Sequence, residues 1–318
     1  MSRQPALVIV LAVLILCCAA PQAEAMKIMS RNPYTGAIAI DAATGTVLFE
    51  DKPDAKAYPA SITKLMVLLV ILEAVEEGRM TLDEPVRVTA HASKIGGSQV
   101  YLKHNEVFPV EELLYALMVQ SANDAATALA IHYLGSKAAF VDLMNKRARE
   151  IGMKDTVFHS VHGLPPGRGQ LPDVSTPRDI AKLCLKLLEH PEVLKYTSTW
   201  LRYLRSDTEK PFMMVNHNRL LKTMEGCDGL KTGFFWAAGF SIAATAAEDG
   251  KRVIAVVLGS RSQRVRDRKA KEILTRGLQE LVMNDSRDGA DSDVGSRSRL
   301  DERNQTTRSA TGLPELER

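Results

Sequence analysis

Cysteine is scarce in this chain, its charge is nearly balanced, and no basic stripe runs through it. Of four cysteines in 318 residues, Cys17 and Cys18 lie in an apolar leader. The remaining pair, Cys184 and Cys227, is too small for a disulfide framework or a thiolate metal centre. Both are expected to be buried free thiols. Lys and Arg number 41 against 38 Asp and Glu, a formal charge of +3. With no basic run interleaved with aromatics, a nucleic-acid-binding surface is excluded. Seven histidines form no ligand cluster: His159 and His162 are three apart, in a loop without Cys or acidic neighbours. Neither a metal nor a cofactor is expected. No internal repeat is visible. What remains is an ordinary globular composition, 45% hydrophobic and 25% charged.

The ends differ from the middle. Arg3 supplies a positive start, residues 6–20 are apolar, and Ala23-Glu24-Ala25 has the small-x-small form of a signal-peptidase site before Met26. The apolar run is short for a membrane span, and Leu16 is too bulky for a lipidation signal at Cys17. Residues 1–25 therefore read as a cleaved export signal. Residues 26–283 read as the folded domain. From residue 284 Ser, Asp, Arg and Gly dominate, so 284–318 is expected to be a disordered polar tail.

Within the domain, 37–41 and 46–50 read as a hairpin. A helix beginning near Ser61 and running to about residue 77 is apolar all round over 65–72, the pattern of a buried helix. Residues 86–88 alternate as a short strand. Helices are predicted over 109–120, 125–134, 137–151 and, opened by Thr176-Pro177 with Ser175 or Thr176 as cap, as far as 188. Residues 159–173 are a Gly/Pro-rich loop. Strands return over 229–232, 240–247 and 252–258, the last two joined by Glu248-Asp249-Gly250. A final helix covers 264–282. The economical architecture is α+β: a five-stranded antiparallel sheet built from both chain ends and packed with helices, plus a helical subdomain.

Three polar clusters interrupt apolar elements. Ser61 and Lys64 stand one turn apart at the mouth of the buried helix, where unpaired N–H groups favour negative charge near the serine. A desolvated lysine loses proton affinity and can take the serine proton. Ser121-Ala122-Asn123 lies between two apolar helices, where capping alone would explain it. Lys231-Thr232-Gly233 lies in a strand, and its glycine suggests close approach of another backbone or a ligand.

Ser-x-x-Lys, Ser-x-Asn and Lys-Thr-Gly in this order resemble the signatures of the penicillin-interacting serine enzymes. With Pro59 to Met66, His162-Gly163-Leu164 and Asp228 to Gly233, the chain is similar to the D-alanyl-D-alanine carboxypeptidases, the low-molecular-weight penicillin-binding proteins, over roughly residues 28–282. The resemblance implies a β-lactamase/transpeptidase-like fold, peptidoglycan stem peptides as substrate and β-lactams as covalent inhibitors. It also implies roles. Ser61 is the nucleophile, Lys64 the base and Ser121 a proton relay. Asn123 holds the substrate amide and Lys64; Lys231 and Thr232 hold the substrate carboxylate. The N–H groups of Ser61 and Phe234, beside Gly233, make the oxyanion hole. His217 or Arg219, within Asn216-His217-Asn218-Arg219, and Arg261 are the further carboxylate-binding candidates. Phe235 departs from the threonine often found there. The C-terminal β-domain and amphipathic anchor helix of many members are not seen, so no C-terminal membrane anchor is expected. A peptidoglycan endopeptidase of the same family is one alternative and a serine β-lactamase another. Residues 159–172 carry no acidic residue that could activate a deacylating water.

Overall fold

The structure is a computed structural model that describes residues 26–308, with side chains described as far as residue 285. The expected leader, 1–25, lies outside the described residues.

In chain order the elements are strands β1 (Gly36–Asp41) and β2 (Val47–Asp51), a 3-10 turn (Ala60–Thr63) and helix α1 (Lys64–Glu76). Strand β3 (Pro85–Arg87), β4 (Val107–Pro109) and helices α2 (Val110–Val119), α3 (Asn123–Leu134), α4 (Lys137–Glu150), α5 (Pro177–Leu188) and α6 (Val193–Thr197) follow. The chain continues with β5 (Leu201–Leu204), β6 (Phe212–Val215), α7 (Leu220–Thr223), β7 (Cys227–Phe235), β8 (Gly239–Glu248), β9 (Lys251–Ser260) and α8 (Gln263–Arg308).

Five strands form one antiparallel sheet in the order β2-β1-β9-β8-β7, so the two chain ends meet at the β1–β9 pair. Strand alternation splits the sheet into two faces. Ala37, Ala39, Ala244, Ala255 and Val257 pack against Ala270, Ile273, Leu274 and Leu278 of α8. Ile38, Ile40, Ala243, Ile254, Val256 and Leu258 turn to the opposite face and join the core around α1. The small residues on the α8 side let that long helix lie close to the strands.

Helix α1 meets the expectation for an apolar-all-round segment. Residues 65–72 are each 5% exposed or less, with α2, α3, α4 and α5 packed around them. At about 1.5–3 kcal/mol per buried aliphatic side chain, this run contributes on the order of 10–20 kcal/mol gross. That is ample to offset the burial of one amine at the helix start.

Four details depart from the sequence reading. Ser61 lies in the 3-10 turn ahead of α1 and not in the α-helix itself. The β5–β6 hairpin is additional, because two four-residue runs are too short for periodicity to register. Cys184 and Cys227 are both free, but only Cys184 is buried. The last helix does not stop at 282: from 284 to Arg308 the expected irregular tail continues as helix, and residues 309–318 lie outside the described residues. Extending an existing helix gains a hydrogen bond per residue without repeating the nucleation cost, so poor apolar content does not by itself end it. Among the described residues the last buried side chain is Leu278, and no helix is long and apolar enough to cross a membrane.

Candidate active site

The three polar clusters converge on one cleft of about 270 Å3, whose walls include Ser61, Ser121, Thr232, Gly233, Phe234 and His217. β7 is an edge strand with β8 on one side only, and near Gly233 it packs on the 3-10 turn that carries Ser61. A Cβ on Gly233 would stand 2.6 Å from the Pro59 carbonyl oxygen and 3.1 Å from the Ser61 nitrogen. From the other side Gly163 presses on the same turn: a Cβ there would lie 1.9 Å from the Ala60 carbonyl oxygen. Two glycines thus clamp the Ala60–Ser61 peptide, which explains the glycine within an otherwise apolar strand. Ala60 itself has φ 50°, so the turn bends sharply to present the serine.

Lys64 is fully buried, with Nζ 3.0 Å from Ser61 Oγ and donating to the His162 carbonyl at 2.7 Å. Burial first, and then the positive charge of Lys231, push its pKa well below the ordinary lysine value. Asp173 and Asp124 pull more weakly the other way. An amine so held gives up its proton more readily than an exposed lysine and, once neutral, offers a lone pair to the serine hydroxyl. The loop that supplies the His162 carbonyl is anchored by Asp173. Its Oδ1 accepts from the His159 and Ser160 N–H groups and its Oδ2 from the Thr63 and Ser160 hydroxyls. His162 is neutral at physiological pH: burial first, and then the neighbouring Lys64, lower its pKa to about 3, and its Nδ1 accepts from Leu164 N–H.

Ser121, 2% exposed and at φ 61°, lies at the break between α2 and α3 and lines the cleft. Asn123 is equally buried; its amide donates to the Gly96 carbonyl at 2.8 Å, and its Oδ1 has no partner among the described residues. No hydrogen bond joins Asn123 to Lys64. Next to it, Asp124 accepts from the Val100 and Leu102 N–H groups, tying the segment that carries Ser98 to the start of α3.

The far end of the cleft is cationic. Lys231 is 3% exposed and donates to its neighbour's carbonyl, Thr232 O, at 3.0 Å. Burial, aided by the Arg266 charge, lowers its pKa to about 7. His217 stands at the mouth; burial of its ring and the charges of Lys231, Lys64 and Arg266 lower its pKa to about 4. Since the residue as a whole is solvent-exposed, the cationic neighbours are the firmer part of that cause. Asn216 and Asn218 set the loop: Asn216 donates to the Thr197 and Thr199 carbonyls and Asn218 to the Gly229 carbonyl of β7. Arg219 is exposed and outside the cleft lining, so His217 is the member of that pair at the site.

Arg261 is the candidate the tertiary structure moves away. It is exposed and lines a neighbouring groove, whereas the arginine in the catalytic cleft is Arg266, 2% exposed and paired with Asp267. The chain turns into α8 immediately after Arg261, which carries that side chain off and brings the first helical turn over the cleft. A signal for Arg266 existed in the sequence. The buried stripe of α8 runs through Ala270, Ile273, Leu274 and Leu278, and position 266 continues it one turn earlier. An arginine on the core-facing stripe needs a reason. Asp173 and Ser98 carried no comparable signal, and Asp124 read only as a turn or cap residue, because their roles depend on loops brought together from distant positions.

A family model described as D-alanyl-D-alanine carboxypeptidase matches residues 23–262. The carboxypeptidase DacF of Bacillus subtilis is 37% identical over 238 residues, covering 75% of this chain and 60% of that protein. DacC of Escherichia coli is 35% identical over 249 residues, again covering 60% of the relative. The chain therefore spans about three-fifths of the length of these curated relatives. Among solved structures, penicillin-binding protein 6B of Escherichia coli superposes with a TM-score of 0.72 at 31% identity, over 81% of this chain and 80% of that one. Penicillin-binding protein D2 of Listeria monocytogenes in its ampicillin-bound form gives 0.68 at 32%, over 76% and 96%. With Ser61 and the fully buried Lys64 3.0 Å apart within the matched region and the same fold around them, this chain belongs to the D-alanyl-D-alanine carboxypeptidase family.

Proposed function

We propose that this chain is a serine-type D-alanyl-D-alanine carboxypeptidase that removes the terminal D-alanine of peptidoglycan stem peptides, and that β-lactams acylate the same serine. The observation that carries the reading is the fully buried Lys64 amine 3.0 Å from Ser61 Oγ. Ser61 Oγ attacks the penultimate carbonyl carbon while its proton passes to Lys64. The resulting oxyanion faces the Ser61 and Phe234 N–H groups. Collapse breaks the C–N bond, and the leaving amine takes the proton from Lys64 through the Ser121 hydroxyl. Water then attacks the acyl-enzyme, with Lys64 accepting its proton and Ser61 recovering one. Lys231, Thr232 and Arg266 hold the substrate's terminal carboxylate, with His217 at the mouth. The open edge of β7 accepts the peptide backbone as an added strand.

The β-lactamase alternative needs a carboxylate free to activate a deacylating water. Asp173 is the acidic residue of this loop, and both its oxygens are saturated by four donors. An acyl-enzyme with penicillin is accordingly long-lived. The leader pattern at 1–25 supports an extracytoplasmic place of action, with the catalytic domain starting at residue 26.

The test is labelling with a fluorescent penicillin, together with mass spectrometry of products from a muropeptide pentapeptide. The parent should be labelled and release one D-alanine, and Ser61→Ala should do neither. Covalent labelling retained by Ser61→Ala would sink the reading, and cleavage of cross-links without D-alanine release would mean an endopeptidase.

A further inference from the structure

Beside the catalytic cleft lies a second groove, of about 490 Å3, that shares Phe234 and Phe240 with it as a common wall. These two rings stack, centroids 4.2 Å apart. Beyond them the groove is bordered by Trp236, which is 73% exposed, and by the guanidinium groups of Arg31 and Arg261. Among the described residues no acidic side chain lines it. Among the described residues neither arginine has a carboxylate partner: Arg31 donates only to the Ile28 and Ser30 carbonyls, and Arg261 lies free at the surface. Nothing in the proposed chemistry uses these groups. A solvent-exposed tryptophan that shares a groove with two arginines without carboxylate partners is a poor arrangement for stability and a good one for binding an anion carried on an apolar stem.

The direction of the edge strand says which part of a substrate reaches the groove. Lys231 and Thr232 precede Gly233, which is level with Ser61; Phe234 and Phe235 follow, and Trp236 lies just past the end of β7. A peptide added antiparallel to β7, with its terminal carboxylate at Lys231, runs its upstream residues along Phe234 and Phe235 towards Trp236. We infer that this groove is an upstream substrate subsite that binds a carboxylate-bearing side chain of the stem peptide, with Trp236 packing on the peptide and Arg31 and Arg261 holding the anion. The inference rests on the carboxypeptidase reading and extends it to substrate choice: an acidic residue upstream of the scissile bond is favoured.

Two synthetic peptides test it, N-acetyl-Glu-Ala-D-Ala-D-Ala and its Gln counterpart, with D-alanine release measured for the parent, for Trp236→Ala and for the double variant Arg31→Gln/Arg261→Gln. The parent should prefer the Glu peptide in kcat/KM by roughly threefold to tenfold, the scale of two exposed ion pairs, and the preference should shrink with added salt. In the double variant the two peptides should be hydrolysed alike, the Gln peptide serving as internal reference and a melting curve as the check on folding. Trp236→Ala should raise KM for both peptides. Equal rates for the two peptides in the parent, or an undiminished preference in the double variant, overturn the subsite and leave the carboxypeptidase reading standing. Failure of the parent to release D-alanine from either peptide overturns that reading, and the subsite with it.

Discussion

Replacing Gly233 by alanine adds one methyl group at the point where β7 touches the catalytic turn. Its φ lies outside the left-handed region, so alanine meets no backbone strain and the effect is contact alone. The new Cβ falls 2.6 Å from the Pro59 carbonyl oxygen, against ordinary contact at 3.4 Å, so 3.4 − 2.6 = 0.8 Å of separation has to be found. The opposing atoms are backbone and the Ala60 Cβ, none of which can swing aside. Gly163 blocks the turn from retreating on its other side, so β7 has to move out. That displaces the Phe234 N–H from the Ser61 N–H and widens the oxyanion site. A misplacement approaching 1 Å costs on the order of 100-fold in rate, or about 2.7 kcal/mol of transition-state stabilisation. Overpacking costs about 1–3 kcal/mol of stability, roughly 2–10 °C in Tm for a domain this size. The assay is the second-order rate of acylation by benzylpenicillin, with a melting curve alongside. Gly96→Ala is the comparison: that glycine also borders the site through its carbonyl, but a Cβ there meets nothing within 4 Å, and its rate should stay within about twofold. Acylation of Gly233→Ala within threefold of the parent would refute the clamp.

Two further substitutions probe the cationic end of the cleft. Lys231 disfavours protonation of Lys64, which must be neutral to act as base. Lys231→Ala therefore raises the Lys64 pKa and moves the acid limb of the acylation pH–rate profile to higher pH, whereas Lys231→Arg keeps the charge and leaves that limb near its place; a limb that stays put in Lys231→Ala would show that the lysine only binds the carboxylate. Arg266→Gln should lower kcat/KM for a D-Ala-D-Ala peptide about 10- to 100-fold, chiefly through KM, for loss of a charge-assisted contact. Because the arginine charge helps hold the Lys231 pKa near 7, its removal should also carry the alkaline limb to higher pH, and an unchanged KM would remove Arg266 from the substrate site.

Much of this molecule was written locally. The run 65–72 has no polar face, so its helix could only be buried. The apolar runs 37–41, 240–247 and 252–258 marked strands, and Asp249-Gly250 marked the hairpin between the last two. The order of Ser61, Lys64, Ser121, Asn123 and Lys231-Thr232-Gly233 located the candidate site, since the proposed nucleophile and base lie one turn apart and need no fold to bring them close. Tertiary structure decided whatever depends on residues far apart in the chain. Lys64 loses proton affinity first because the fold buries it, and then because Lys231, 167 positions later, is brought near it. Asp173 positions the His162 carbonyl through bonds to Thr63 and its own loop. The sequence reading named Arg261 and not Arg266, because which of the two lines the cleft depends on how the first turn of α8 packs across β7 and β8. Local pattern sets which side chains are available and which way an element faces; the field and the contacts at a site are sums over neighbours that only the folded chain assembles.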